Sequence, residues 1–389
     1  MMIPPSYTIR NLVNHKITSA LTVLGVTLVV FVFTAVLMLA HGLLETLVTT
    51  GADDNIVVIR KASQTEVTSI VSGEQADIVS TFPEIKQDSE GKAECTREMY
   101  AIISLAKRSE EGTSNIAVRG VTEKSLTLRP DVKIIEGRMF RPGTAEIIAG
   151  KSVARRFRGC EVGETVRFNA RDWTVVGVFD AAGTAFDSEI WGDIAQMQDV
   201  FRRGDYVSSI TMKLNDPSQL AAVQSRIEGD PRLPLEAKAE KEYYKAQSKA
   251  TTEFITLVGI LICVIFSFGA VVGAMITMYA AVANRTKEIG TLRALGFSRL
   301  SILFTFLFEA VLISLIGGVL GLAAASFLKF VQVSTVNFNT FTELAFNFSL
   351  NLPTAIAALI FALAMGFIGG FLPAVRASRL KIVDSLRTT

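Results

Sequence analysis

The chain is poor in the side chains that carry out chemistry. Its 389 residues include two histidines, three cysteines and two tryptophans. His15 and His41 stand at opposite ends of one apolar run, so a single protomer cannot bring them into one site. No CxxC, HExxH or GxSxG occurs, and no metal-ligating cluster is expected. The Gly150-Lys151-Ser152 tripeptide has Ala145 where a phosphate-binding loop needs glycine, so it is not read as one. Cys95, Cys160 and Cys263 are too few for a disulfide scaffold; the first two are expected as free buried thiols, although an external position would allow a bridge. Charge is scarce as well, at 20% of residues against about 25% in a soluble domain. A net charge of +2 is too small for a nucleic-acid binder. With half its residues hydrophobic, the chain is neither disordered nor a cytosolic enzyme.

Hydrophobic residues gather in four runs: 17–40, 254–279, 302–328 and 352–375. Three contain no charge and the third contains only Glu309. Each exceeds the roughly 20 residues that a helix needs to cross a bilayer, and hydrocarbon permits only a helix or a closed barrel there. The first run is far longer than the apolar part of a signal peptide, which predicts an uncleaved anchor. Ten basic residues (Arg10, Lys16, Arg285, Lys287, Arg293, Arg299, Arg376, Arg379, Lys381 and Arg387) and only two acids, Glu288 and Asp384, fall in the short segments on one side. The positive-inside rule makes that side cytoplasmic, so both termini are expected inside. The 41–253 loop and the short 329–351 loop are then external.

The large loop, with 28 basic and 33 acidic residues, reads as an α+β domain. Strand signals at 55–59, 100–105 and 208–214 alternate with helix signals near 73–81 and 217–227. Short strands crowd the middle, giving a β-rich insert at about 114–204 between halves at about 55–113 and 205–235. Residues 236–253 contain no glycine or proline and are expected as a stalk helix running into the second span. Glu309, an acid in hydrocarbon, is either functional or satisfied locally by Thr305 or Ser314 or by snorkelling. Three small-xxx-small pairs, Gly269/Gly273, Gly317/Gly321 and Gly366/Gly370, allow close helix approach within a protomer or between two.

Four stretches resemble one family. YTIRNL at 7–12 with TSALTVLGV at 18–26 is similar to the amino-terminal helix (1–16) and first span of MacB-type permeases. NRTKEIGTLRALGFSR at 284–299 is similar to their cytoplasmic loop between spans two and three, and FLPAVRASRL at 371–380 with DSLR at 384–387 to their tail. EIIAGKSVARRF at 146–157, VGETV at 162–166 and WTVVGV at 173–178 resemble their external subdomain. The resemblance, shared with LolC/LolE and FtsX, implies four membrane helices plus a periplasmic domain with a split porter-like part and a β-rich inserted subdomain. It implies a homodimer or heterodimer in the bacterial inner membrane, with ATP and Mg bound by a separate ATPase subunit and no cofactor on this chain. A periplasmic adaptor or carrier is a further implied partner; nucleic acid is not.

On charge alone the 284–299 loop needs no role beyond setting topology. The resemblance instead makes Arg285, Lys287, Glu288, Gly290, Arg293 and Gly296 the elements that couple ATPase movement to the spans. The expectation is a non-catalytic permease subunit that drives extrusion or extraction of an amphipathic lipid, lipoprotein, peptide or drug. The rival is an FtsX-like signalling module that activates an extracytoplasmic enzyme, although the external domain is larger than FtsX carries.

Overall fold

The computed structural model describes residues 16–109 and 111–380. The expected helix at 1–16, with Arg10 and His15, lies outside them but for its last residue, as does the tail beyond Leu380. In chain order, α1 (Lys16–Val48) is followed by β1 (Asn55–Arg60), α2 (Gly73–Ser80), β2 (Cys95–Ala106), β3 (Thr113–Val121) and α3 (Glu123–Thr127). Next come β4 (Lys133–Gly137), β5 (Glu146–Gly150), α4 (Lys151–Arg156), β6 (Thr165–Phe168), β7 (Arg171–Asp180), β8 (Glu189–Asp193) and α5 (Ile194–Val200). Then follow β9 (Ser209–Lys213), α6 (Leu220–Gly229), β10 (Leu235–Ala239), α7 (Glu240–Asn284), α8 (Thr286–Ala294) and α9 (Arg299–Ser326). A hairpin of β11 (Gln332–Val336) and β12 (Glu343–Asn347) precedes α10 (Leu352–Ser378).

The chain divides into two compact units, one made of 42–253 with 332–347 and the other of the remainder. Among the described residues, four helices, α1, α7, α9 and α10, are long and apolar enough to cross a membrane. All four exceed the runs that predicted them, because helix continues into polar sequence where water replaces hydrocarbon: α1 reaches Val48 and α9 starts at Arg299. Ser298 caps α9 by accepting from the Ser301 amide, and Asn351 caps α10 by accepting from Thr354. His41 lies within hydrogen-bond distance of that cap, 3.1 Å from the Asn351 amide. Close packing follows the glycines. A methyl at Gly370 would stand 2.3 Å from Cβ of Ala310, one at Gly366 2.6 Å from Ser314, and one at Gly321 2.7 Å from the Thr27 carbonyl. Around Gly269 and Gly273 there is no neighbour within 4 Å. Their helix, α7, is also the least buried of the four, with 11% of its apolar stretch covered against 33% for each of the others. Two of the three small-residue pairs therefore serve packing inside the protomer.

The other unit is a mixed sheet in the order β10-β1-β9-β2-β3-β8-β5-β7-β4, with β6 on β7. Two apolar cores lie along it. One gathers Ile56, Val58, Val79, Ile210, Val223 and Ala237; the other gathers Ile103, Val118, Ile147, Trp173 and Ile190. The boundary between them falls inside β2 and not after residue 113. Cys95–Glu98 pair with β9, while the remaining eight residues of β2 pair with β3. Twelve residues of strand span about 40 Å, long enough to join both halves of the sheet. Two further expectations are corrected. Residues 236–239 are not helical: they form β10 and close the sheet edge against β1, and the helix starts at Glu240, whose acidic first turn suits a helix N-terminus. The segment 332–347 is not a bare loop but a hairpin built into this unit, where Asn339 donates to the Gln247 carbonyl at 2.6 Å and Ala345 N–H to Ser188 at 3.0 Å.

Candidate functional site

The coupling loop folds as α8, a nine-residue helix between two joints. Arg285 alone separates it from α7, and its φ of −107° and ψ of 16° break the helical run. At the far end Gly296 adopts φ +95°, a left-handed conformation that costs glycine little, and the chain turns into α9. Arg293 supports that turn, its guanidinium 3.5 Å from the Phe297 carbonyl. Ile289 and Gly290 are buried, while Lys287 and Glu288 face outward. Ile289 enters an apolar cluster with Met278, Val282, Ile302, Phe306 and Ala374.

Arg285 turns inward. Its two terminal nitrogens donate to the two carboxylate oxygens of Glu309, both at 2.9 Å. Each side chain is 3–4% exposed. A guanidinium, which the sequence did not point to, thus meets both oxygens of Glu309, and the Thr305 hydroxyl donates to the Ser301 carbonyl. A small pocket of about 100 Å³ beside the pair is lined in part by Ser19, Thr22, Thr277 and Asn284.

A second concentration of buried charge lies in the sheet unit, at the head of α7. Arg119 reaches Glu66 at 2.7 and 3.1 Å, Glu98 at 2.7 Å and Glu189 twice at 2.8 Å. Arg129 donates to both oxygens of Glu98. Glu240, the first residue of α7, accepts from Ala52 N–H and the Asn55 amide, each at 3.0 Å. Tyr243 accepts from Glu66 N–H at 2.9 Å. Burial alone would raise the Glu98 carboxyl, but Arg129 and Arg119 outweigh it and hold the group below its usual range. For Glu240 burial wins over Arg129, 3.9 Å away, and the carboxyl is raised. Sequence reading missed this cluster. Its trace is a lone arginine in a strand whose neighbours are all buried, 116–121.

The remaining predicted groups have structural explanations. Lys151 pairs with Asp180 at 2.7 Å, and Ser152 accepts from Gln332. The three cysteines are free; Cys160 is buried as expected but Cys95 is only half-buried, and burial pushes both thiols up to about 12, which disfavours the thiolate. In the hairpin, Glu343 meets Arg156, Lys107 and the Ser334 hydroxyl. Burial would raise its carboxyl, but hydroxyl donors and these cations keep it lowered.

Four membrane-length helices, a large mixed-sheet unit between the first two, and a short basic helix between the second and third define the arrangement to be compared. The description MacB-like periplasmic core domain matches residues 19–230, and FtsX-like permease C-terminal matches residues 260–382. The chain belongs to the MacB/FtsX-like family of ABC-transporter permeases. An uncharacterized ABC transporter permease, YvrN of Bacillus subtilis, is 43% identical over 115 residues, 30% of this chain and 26% of that protein. The macrolide export ATP-binding/permease protein MacB of Burkholderia thailandensis is 24% identical over 399 residues, taking in 96% of this chain and 58% of the relative. MacB of Neisseria gonorrhoeae is 23% identical over 414 residues, 97% of this chain and 60% of that one. This chain thus spans less than two thirds of the length of these curated relatives. Among solved structures, the periplasmic region of MacB from Actinobacillus actinomycetemcomitans aligns at 14% identity and TM-score 0.37, covering 52% of this chain and 96% of that one. The extracellular domain of YknZ, a noncanonic ABC-type transporter from Gram-positive bacteria, aligns at 16% and 0.36, covering 47% and 99%. As a member of this family the chain is a membrane permease component with a periplasmic-type domain.

Proposed function

We propose that this permease relays ATP-driven movement of a partner subunit to the sheet unit outside the membrane, and so extrudes or extracts an amphipathic substrate. The partner binds ATP and Mg and seats on the outward face of α8, where Lys287 and Glu288 offer charges of both signs. Both termini and α8 lie on the cytoplasmic side of the inner membrane. Two protomers work together, a reading favoured by the open face of α7 at Gly269 and Gly273. Macrolides, for which the MacB relatives are named, are the first cargo to test.

The observation that carries this reading is the continuity of α7. Its 45 residues form one helix from Glu240 to Asn284, with no proline inside it. The test is reconstitution. The purified chain hydrolyses no ATP alone and stimulates its partner ATPase, and Glu288→Lys abolishes the stimulation because wrong-sign contacts at an interface are costly. Hydrolysis by the chain alone at ordinary enzyme rates, or full stimulation by the Glu288→Lys variant, overturns the proposal.

A further inference from the structure

We propose that Arg285 and Glu309 are the linchpin through which α8 moves α7 and α9 as one body; this rests on the relay described above. The backbone by itself gives α8 a joint at each end, Arg285 on one side and Gly296 on the other. A push on a helix hung between two joints would tilt the helix and leave the spans in place. The side chains close that gap. Arg285, the residue that forms the first joint, crosses to the eleventh residue of α9 and meets it with two parallel 2.9 Å bonds. A fork of this kind fixes direction as well as distance.

Stability alone does not account for the pair. It is buried, with the Arg285 guanidinium 5.8 Å from the Phe306 ring and a small pocket lined by Thr22, Thr277 and Asn284 beside it. In such a place well-packed apolar side chains of similar volume hold helices as well as or better than an ion pair does. Nor does Arg285 serve α8. A cation at a helix N-terminus opposes the helix dipole, and Arg285 makes no side-chain cap there. What the pair supplies is one permitted register between the end of α7 and the start of α9, at the point where α8 delivers its movement. Arg285 and Glu309 are positioning residues in this scheme, and docking of the ATPase does not involve them.

The experiment uses the full chain with its partner ATPase in liposomes, the three cysteines replaced by alanine and nitroxides placed at Ala283 and Leu300. Distances are measured without nucleotide and with a non-hydrolysable ATP analogue. In the parent the distribution is narrow and the same in both states. In the apolar double variant Arg285→Met/Glu309→Leu, folding and ATPase stimulation stay within about twofold of the parent, while the distribution broadens roughly twofold or splits between states. The exchanged pair Arg285→Glu/Glu309→Arg restores the narrow distribution. A narrow, nucleotide-independent distribution in the apolar variant overturns the linchpin, as does failure of the exchanged pair to narrow it in a protein that is folded and stimulates ATP hydrolysis. These widths are read in the nucleotide-free chain as well. Loss of the relay reading, seen as a parent chain that stimulates no ATPase, is therefore a separate result.

Discussion

At the scale of the residue, glycine decides how close the spans come. Gly370 faces Ala310 so closely that a methyl group there would overlap Cβ at 2.3 Å, whereas Gly273 has open space around it. Side-chain volume forced into a filled contact costs about 1–3 kcal/mol. Gly370→Val is therefore expected to destabilise the detergent-solubilised monomer by that order, read as a lower thermal midpoint. Gly273→Val is expected to leave the monomer unchanged, because among the described residues nothing beyond its own helix backbone lies within 4 Å of a methyl placed there. Equal midpoints for the two variants would show that α9 and α10 can separate without penalty. Arginine decides in the same local way. Arg119 makes five donor contacts to three carboxylates, so truncating it would leave Glu66 and Glu189 without their arginine in the sheet interior, while Glu98 keeps Arg129.

At the scale of the element, α7 is the unusual feature. Acidic Glu240 and Glu242 start it, no proline interrupts it, and the β-branched Thr251–Thr252 pair does not break it. A helix that merely tethers two units tolerates a flexible joint; a helix that transmits displacement does not. Insertion of Gly-Gly-Ser after Lys249 is expected to spare stimulation of the partner ATPase, since α8 is untouched, and to abolish export of a macrolide from proteoliposomes. Export at the parent rate by the insertion variant would leave α7 as a tether. The hairpin of β11 and β12 belongs to the sheet unit, where Glu343 fastens it through Arg156 and Lys107.

At the scale of the whole molecule, the charge cluster at the head of α7 makes the sheet unit respond to pH. Four carboxyls, Glu66, Glu98, Glu189 and Glu240, face two guanidiniums, so the acids outnumber the cations by two. Among them Glu240 has its carboxyl raised by burial and binds its proton more tightly folded than unfolded. Its stabilising contribution is complete below the unfolded pKa and is lost as pH rises through the folded one. Glu98 runs the other way: its lowered carboxyl contributes above the unfolded pKa and fails as pH falls through the folded one. Glu240→Gln removes the first effect alone. Its thermal midpoint relative to the parent should therefore climb as pH is raised from 5 to 8. Trp173 and Trp191 report this well, since both are fully buried in the sheet unit and the chain has no other tryptophan. An offset that stays constant with pH would mean that Glu240 is ionised throughout.

The sequence by itself determined the four spans, because a run without charge and longer than a bilayer is thick has few other stable forms. It also determined the basic helical character of the segment between two of them, although Gly290, expected with Gly296 to bound that helix, lies inside α8, and the mixed α and β character of the large loop. These are local properties, written in hydropathy, period and turn chemistry. The partner of each charge was decided only by the tertiary structure. Arg285 counted equally with Lys287 and Arg293 as a basic loop residue until the fold turned it inward to Glu309, 24 positions away. Residues 236–239 read as helix, since nothing local forbids it, until β1 offered them a sheet edge. The segment 332–347 gained its hairpin from a sheet unit that lies elsewhere in the chain, and β2 joined two cores because its length reaches both. Pairing between distant segments depends on which surfaces meet after folding, and no window of sequence contains both sides of such a contact.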